Sequence, residues 1–544
     1  MALTNMHNNF IYPVDTYDFV QIRQDGLLYV DKTDLVYDLV TKYRYVFLSR
    51  PRRFGKSLLC STLKAYWQGR KELFDGLMIA NLEKNWHSYP VFHFSMSGLK
   101  DLPTDKAQSK LENFISDYER TYGRNVEEKS PGARFRGLIH RAKQQTGQRV
   151  VVILDEYDAP IMRLIYEPEQ LKEVRSLLRE FYQVLKDEGE CIKFAFITGI
   201  TKFSQLSIFS ELNNLMDISF LPEYSGICGI TKGEICTTLR PNVEDFAEGY
   251  GCGVDEAYEL LGKQYDGYHF SADSKDVFAP FSLLKALSEK SIKDYWFTGA
   301  TPSALIEHLK HFPIASAIEF DGVEVSENQF NIPCEDAPTP MPLLYQSGYL
   351  SIDSYDRQLK TFILHFPNTE VRSGMVDCLM PIILRRTPTE NDSTITDMAR
   401  AIYSGDLSSA LLHLRSYMAG IPYDVITKEE WEDKQKRESF YKMLIYLVFS
   451  LLNTKVDTEV KSILGRADVV IQTKTDVYVL ELKVDQSVNS AMAQIDSREY
   501  AVRWEADERR ITKCGVRIGS KQRTITHWKI TDNEGHTLQE KRLK

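Results

Sequence analysis

The stretch Tyr45-Val-Phe-Leu-Ser-Arg-Pro-Arg-Arg-Phe-Gly-Lys-Ser-Leu-Leu-Cys-Ser-Thr-Leu63 decides the fold. A short apolar run leads into a basic loop, and a helical pattern opens at Gly55-Lys56-Ser57. Strand, loop and helix in that order are the context of a P-loop, where backbone N–H groups and a helix N-terminus converge on one anion. Lys56 is expected to reach the outer phosphates of a nucleotide, and the Ser57 hydroxyl to hold Mg2+. Arg52, Arg53, Phe54, Gly55 and Leu58 complete the expected nucleotide-binding set. Arg50 stands where the usual pattern has its first glycine. One of Arg52 and Arg53 is expected to contact the γ-phosphate in partial compensation; two solvated arginines are the alternative.

The second deciding stretch is Arg149-Val-Val-Val-Ile-Leu-Asp-Glu-Tyr-Asp158. A continuous apolar run ending in two acids reads as a parallel strand buried on both faces, with the acids at its carboxyl end. Open α/β sheets bind ligands at that edge. Asp155 is therefore expected to hold Mg2+, and Glu156 to polarise the attacking water. Ile192-Lys-Phe-Ala-Phe-Ile-Thr198 predicts a further strand whose Thr198 hydroxyl would sense the γ-phosphate or place the water, and Met216 to Phe220 a fifth. Alternation of strands and helices predicts an α/β fold with a doubly wound, mostly parallel sheet.

Composition sets the bounds. A chain of 544 residues exceeds one core. We expect a P-loop core over 1–225, a helical lid over 226–310, a winged-helix-like region with a helical connector over 311–425, and a last domain over 426–544. The apolar stretch Tyr446 to Leu452 is far short of a membrane span, so no membrane partner is expected. The eight cysteines form no Cys-x-x-Cys pair and read as reduced residues of a cytoplasmic protein. Net charge is −9, yet from Trp431 onward 21 basic residues face 17 acidic ones. That excess permits nucleic-acid contact without requiring it.

The last domain carries a second chemistry. Arg437 to Phe449 predicts an amphipathic helix with Glu438 in its first turn. If Arg466 to Ile471 and Val477 to Val484 pair about Lys474-Thr475, Asp468 falls opposite Glu481. Alternation then sets Glu481 and Lys483 on one face. Two such carboxylates repel unless a cation lies between them, which suits Mg2+ or Mn2+, with Lys483 orienting or deprotonating a nucleophilic water. A cross-strand ion pair on a solvated face is the plain alternative.

Taken together, these segments resemble a bacterial family of predicted AAA-ATPase-like proteins with a C-terminal PD-(D/E)XK nuclease-like domain. The resemblance rests on Val30-Asp-Lys-Thr33, Arg50 to Ser57, Leu154 to Asp158, Thr198 to Ser204, Ile208 to Asn214 and Tyr265-Asp-Gly-Tyr268. Leu344 to Leu350, Pro367 to Val371, Gly465-Arg-Ala-Asp468 and Glu481-Leu-Lys483 continue it. The family's loop also lacks the first glycine. The resemblance implies a P-loop ATPase core and a restriction-endonuclease-like α/β domain. It makes Lys56, Ser57, Asp155 and Glu156 the ATPase residues, and Asp468, Glu481 and Lys483 the nuclease residues, with Glu438 as the helix acid. Gln494 and Tyr500 stand two residues further apart than the superfamily's usual Gln-x-x-x-Tyr. ATP, Mg2+ and nucleic acid, DNA above all, are the implied ligands; the resemblance supplies no biological task, and such ATPase–nuclease pairings suggest defence against foreign DNA or control of mobile elements. A nucleotide switch that assembles as a homo-oligomer, its last domain only binding nucleic acid or a partner, stays open as the alternative.

Overall fold

The computed structural model describes residues 10–100, 102–162, 164–201, 215–297, 308–309, 311–312, 322–330, 332, 337–384, 392–421, 431–450, 455–461 and 466–543. The chain divides into two compact units. The first comprises 1–304 and 320–371, and the second 305–319 and 372–544.

At the centre of the first unit lies a five-stranded parallel sheet: β1 (Tyr45–Ser49), β2 (Val91–Ser95), β3 (Val150–Asp155), β4 (Ile192–Gly199) and β5 (Met216–Asp217). Its order is β2-β3-β4-β1-β5, so β4 separates the strand of the basic loop from the strand of the acids. All six residues of β3 are buried, as its unbroken apolar run requires. Helices Thr104–Tyr122, Pro131–Thr146 and Pro168–Asp187 cover one face, and Phe94, Phe135 and Phe181 interlock in that core. Helix Lys56–Trp67 packs on the opposite face. Parallel strands joined through helices bring the β1, β3 and β4 carboxyl ends to one edge, where Gly55, Asp155 and Gly199 meet.

Beyond the sheet, a short antiparallel pair, β6 (Ile230–Thr231) and β7 (Val277–Phe278), adjoins helices Arg240–Tyr250, Val254–Tyr265 and Pro280–Glu289. Thr231 caps the helix Lys232–Cys236 in a reciprocal box with Glu234, as expected of its position. Helix Met341–Gln346 lies in the chain between β8 (Val323–Ser326) and β9 (Ser351–Asp356), which with β10 (Thr361–His365) form a three-stranded sheet in the order β8-β10-β9. β9 and β10 form a hairpin that turns after Asp356, and β8 pairs with the other edge of β10.

The second unit holds a six-stranded mixed sheet. Its strands are β11 (Lys455–Lys461), β12 (Arg466–Gln472), β13 (Asp476–Val484), β14 (Arg510–Gly519), β15 (Thr524–Asp532) and β16 (Thr537–Arg542), paired in chain order with only β13–β14 parallel. Helix Val488–Ser497 makes that parallel crossover. Gly515 lets it lie close, since a Cβ there would sit 2.8 Å from the Val488 carbonyl oxygen. Helices Asp392–Tyr403 and Leu407–Ala419 belong to this unit, and Trp528 donates its indole N–H to the Ser408 hydroxyl. Among the described residues no helix is long and apolar enough to cross a membrane.

Candidate functional sites

In the first unit the loop after β1 turns through Arg53, φ +66°, and Gly55, φ +91°. A Cβ at Gly55 would meet nothing within 4 Å, so glycine is favoured there by backbone conformation rather than by space. Lys56 is buried, and its ammonium donates to the Arg50 and Pro51 carbonyls at 3.0 and 2.9 Å. Burial pulls its pKa down, against the opposing pull of Asp155, Glu156 and Asp158. Those carbonyls are neutral acceptors. A phosphate oxygen that replaced them would make the stronger, charge-assisted bond.

Asp155 closes β3, is 3% exposed, and keeps a buried Oδ1 with no hydrogen-bond partner. Next to it Glu156 takes φ +51°, a left-handed backbone that side chains rarely adopt. Burial first, then the charge of Asp155, pushes its carboxyl up from the ordinary range. Strained backbone of this kind persists where surrounding contacts hold it. Here they come from Tyr157, whose N–H donates to the Thr198 carbonyl, and from Asp158, whose Oδ2 accepts from the Ile200 and Thr201 amides and the Thr201 hydroxyl. Gly199 permits that approach, since a Cβ would lie 2.5 Å from Asp158 Oδ1. Asp158 clips the end of β4 to the acid-bearing turn, a role invisible without the strand order.

Three side chains expected at the nucleotide, and Arg50 beside them, have partners within the protein. Arg53 gives its guanidinium to the Tyr295 and Trp296 carbonyls and lies 4.3 Å over the Phe281 ring, so it serves the neighbouring helical segment. Phe54 is buried among Tyr268, Phe270 and Trp296, which leaves its backbone alone for a ligand. Thr198 donates its hydroxyl to the Leu48 carbonyl at 2.7 Å, inside the sheet. Arg50, at the missing-glycine position, is a buried strut. It donates to the Ser49, Ser219 and Tyr224 carbonyls and stacks on Phe270 at 4.2 Å. Each such charged hydrogen bond contributes about 1.5–3 kcal/mol. Arg52 is exposed and is the arginine whose charge reaches Glu156. Ser57 and Leu58 are half-buried in the first helical turn. Lys202 to Ser204 and Ile208 to Asn214 lie outside the described residues.

Two further motif segments are structural. Asp31 accepts from the Thr33 amide and hydroxyl and, through Oδ2, from the Met78 amide, so it satisfies the first amide of helix Thr33–Lys42 and ties it to the start of helix Ile79–Leu82. Glu370 is buried, accepts the Trp296 amide at 2.6 Å, and is pushed up to about 8 by burial.

In the second unit β12 and β13 pair as Val469↔Leu480 and Gln472↔Val477, the register expected about Lys474-Thr475. One step further along that register, Asp468 faces Glu481. Asp468 Oδ2 accepts the Leu482 amide at 2.8 Å, and its Oδ1 lies 2.6 Å from the Lys442 ammonium. Glu481 pairs with Lys483 at 2.9 Å through Oε1, while its buried Oε2 has no partner. Burial, then the charge of Asp468, pushes Glu481 up to about 7. A carboxylate oxygen orphaned beside a second acid suits a divalent cation.

Lys483 also donates to Gln494 Oε1 at 2.6 Å, and Gln494 Nε2 to the Tyr500 hydroxyl at 3.1 Å. The wider Gln–Tyr spacing thus still closes, because helix Val488–Ser497 ends before Tyr500 and the chain folds back. Glu438 lies beyond the first turn of helix Lys434–Ser450 and stands 3.9 Å from Lys434; among the described residues no hydrogen bond or ion pair joins it to the acid pair. Lys442, one turn on, reaches the acids instead. The i, i+4 stripe from Glu438 was the available signal.

A family model described as a predicted AAA-ATPase matches residues 13–209, and a model of the PD-(D/E)XK nuclease superfamily matches residues 436–528. These two matches define the class: an AAA-ATPase-like domain joined to a nuclease-superfamily domain. The chain is also 30% identical over 524 residues to an uncharacterized protein in the vnfD 5' region of Azotobacter chroococcum mcd 1, covering 94% of this chain and 97% of that one. It belongs to this family of AAA-ATPase-like proteins with a C-terminal PD-(D/E)XK domain.

Proposed function

We propose that the chain hydrolyses ATP in its first unit and cuts nucleic acid, DNA in the first instance, with a metal-dependent site in its second. The observation that carries this reading is the pair of orphaned, buried carboxylate oxygens, Asp155 Oδ1 and Glu481 Oε2, each beside a lysine. Buried polar atoms are ordinarily satisfied, and a divalent cation at each site would satisfy these two.

At the first site Lys56 would exchange the Arg50 and Pro51 carbonyls for phosphate oxygens. Asp155 and Ser57 would hold Mg2+, which supplies positive charge to the phosphates as the outer bond breaks. Glu156, its proton affinity already raised, takes a proton from the attacking water. At the second site Asp468 and Glu481 would hold Mg2+ or Mn2+, which stabilises the charge developing on the phosphodiester. Lys483, oriented by Gln494 and Tyr500, positions the water there. Glu156→Gln tests the assignment most sharply: it should bind ATP as the native chain does and lose turnover by about 100-fold. Equal turnover of the two proteins would remove Glu156 from the mechanism.

A further inference from the structure

We propose that Cys60, His93 and Asp155 form a binding site for a soft divalent cation, Zn2+ foremost, distinct from the Mg2+ position in using a thiolate and an imidazole. The three residues come from three elements: Cys60 from helix Lys56–Trp67, His93 from β2 and Asp155 from β3. Register explains the meeting. Ser95 pairs with Asp155 and His93 with Ile153, so strand alternation sets His93 and Asp155 on the same sheet face. The helix opened by Lys56 packs on that face and brings Cys60 down one turn beyond Lys56.

Their ligand atoms lie within 4.8 Å of one another. Around tetrahedral zinc, with bonds of about 2.0–2.3 Å, ligand atoms stand roughly 3.3–3.8 Å apart, so small side-chain rotations close the site. Two of the three ligands are already unpartnered: His93 Nε2 and Asp155 Oδ1 are buried without hydrogen bonds. Cys60 is fully buried and Asp155 is 3% exposed. On binding, the Cys60 S–H bond breaks, an S–metal bond forms, and the proton leaves to solvent.

The other cysteine-containing cluster offers a contrast. In His140, Glu188 and Cys191, the Glu188 carboxylate already holds Arg136 and His140, and Lys143 donates to the Cys191 sulfur at 3.6 Å. Thiolate, imidazole and carboxylate together favour Zn2+ over Mg2+, which takes oxygen ligands. Because Asp155 belongs to both, an ion held by Cys60 and His93 would remove it from the Mg2+–nucleotide site. That consequence rests on the ATPase reading above; the binding itself does not.

The full-length chain, freed of metal by chelation and without nucleotide, is titrated with Co2+ and read by the sulfur-to-cobalt charge-transfer band. The band should appear in the native chain and in Cys191→Ser, and vanish in Cys60→Ser. His93→Gln should weaken it at least tenfold, and Zn2+ should displace it. A band that survives Cys60→Ser, or none in the native chain, overturns the proposal. In parallel, Zn2+ added at protein concentration should slow Mg2+-ATP turnover in the native chain and spare Cys60→Ser. A cobalt band that depends on Cys60 in a protein without ATP binding would leave the metal site standing and sink the ATPase reading alone.

Discussion

The two sites use lysine in opposite ways. In the first unit the Lys56 ammonium sits on two neutral carbonyls and leaves Asp155 with an open oxygen. In the second unit both acids carry ammonium groups, Lys442 on Asp468 and Lys483 on Glu481. A cation entering the first site meets an acid that is free to ligate. One entering the second also finds an open oxygen, Glu481 Oε2, but with an ammonium already on each acid. On the proposed function the first site would be preorganised for its ligand, while at the second the cation would have to compete with two ammonium groups.

The largest effect that could break this contrast is at Lys56. Lys56→Ala should abolish ATP turnover, by about 1,000-fold or more, because neither carbonyl of the loop can replace an ammonium on the outer phosphates. Calorimetric metal binding at the second site should be unaltered. Loss of both together would mean that one fold defect, rather than two separable sites, explains the result.

A middle-sized effect sharpens it. Lys442→Met removes the ammonium 2.6 Å from Asp468 while keeping most of the side-chain volume. Mn2+ should then bind the second site about tenfold more tightly, near 1.4 kcal/mol, as read by titration calorimetry. Weaker binding would show that Lys442 supports the site instead of competing with the ion.

A further effect is on pH. Glu481 is pushed up to about 7, so below that pH a proton competes with the metal for its carboxylate. The sign follows directly: a raised carboxyl pKa means that binding releases a proton below pH 7 and little above pH 8. Mn2+ affinity should rise about tenfold per pH unit up to neutrality and then flatten. In Glu481→Gln the remaining weak binding should lose that slope. A flat profile in the native chain would remove Glu481 as a ligand.

Much of this could be read from the chain because some residues declare their chemistry locally. Gly55-Lys56-Ser57 ahead of a helix, and Asp155-Glu156 at the end of a buried run, need only their neighbours. The β12–β13 register was legible too, since polar Thr473 to Thr475 left one reasonable turn between two apolar runs. Helix Pro131–Thr146 had its own signal: Ser130 as cap, proline in the first turn, Gly147 beyond the last, and Phe135, Leu138, Ile139 and Ala142 at helical spacing. What stayed hidden depends on partners distant in sequence. The sequence shows Arg50 only as a missing first glycine; its role as a strut depends on the Ser219 and Tyr224 carbonyls that accept from its guanidinium. Arg53 and Thr198 were matched to a phosphate because charge and hydroxyl suit one, whereas backbone carbonyls at Tyr295 and Leu48 had prior claim. Lys442 was passed over because an acid was sought on that helix.

The central claim is that one chain carries two separable sites for phosphate chemistry. It is tested most directly by incubating supercoiled plasmid with Mn2+, with and without ATP, and the native chain, Lys56→Ala or Asp468→Asn, scoring strand cuts and released phosphate together. The account predicts that Asp468→Asn releases phosphate at the native rate and cuts nothing, while Lys56→Ala releases none. Cutting by Asp468→Asn at the native rate, or no cutting by the native chain under any condition, would contradict it.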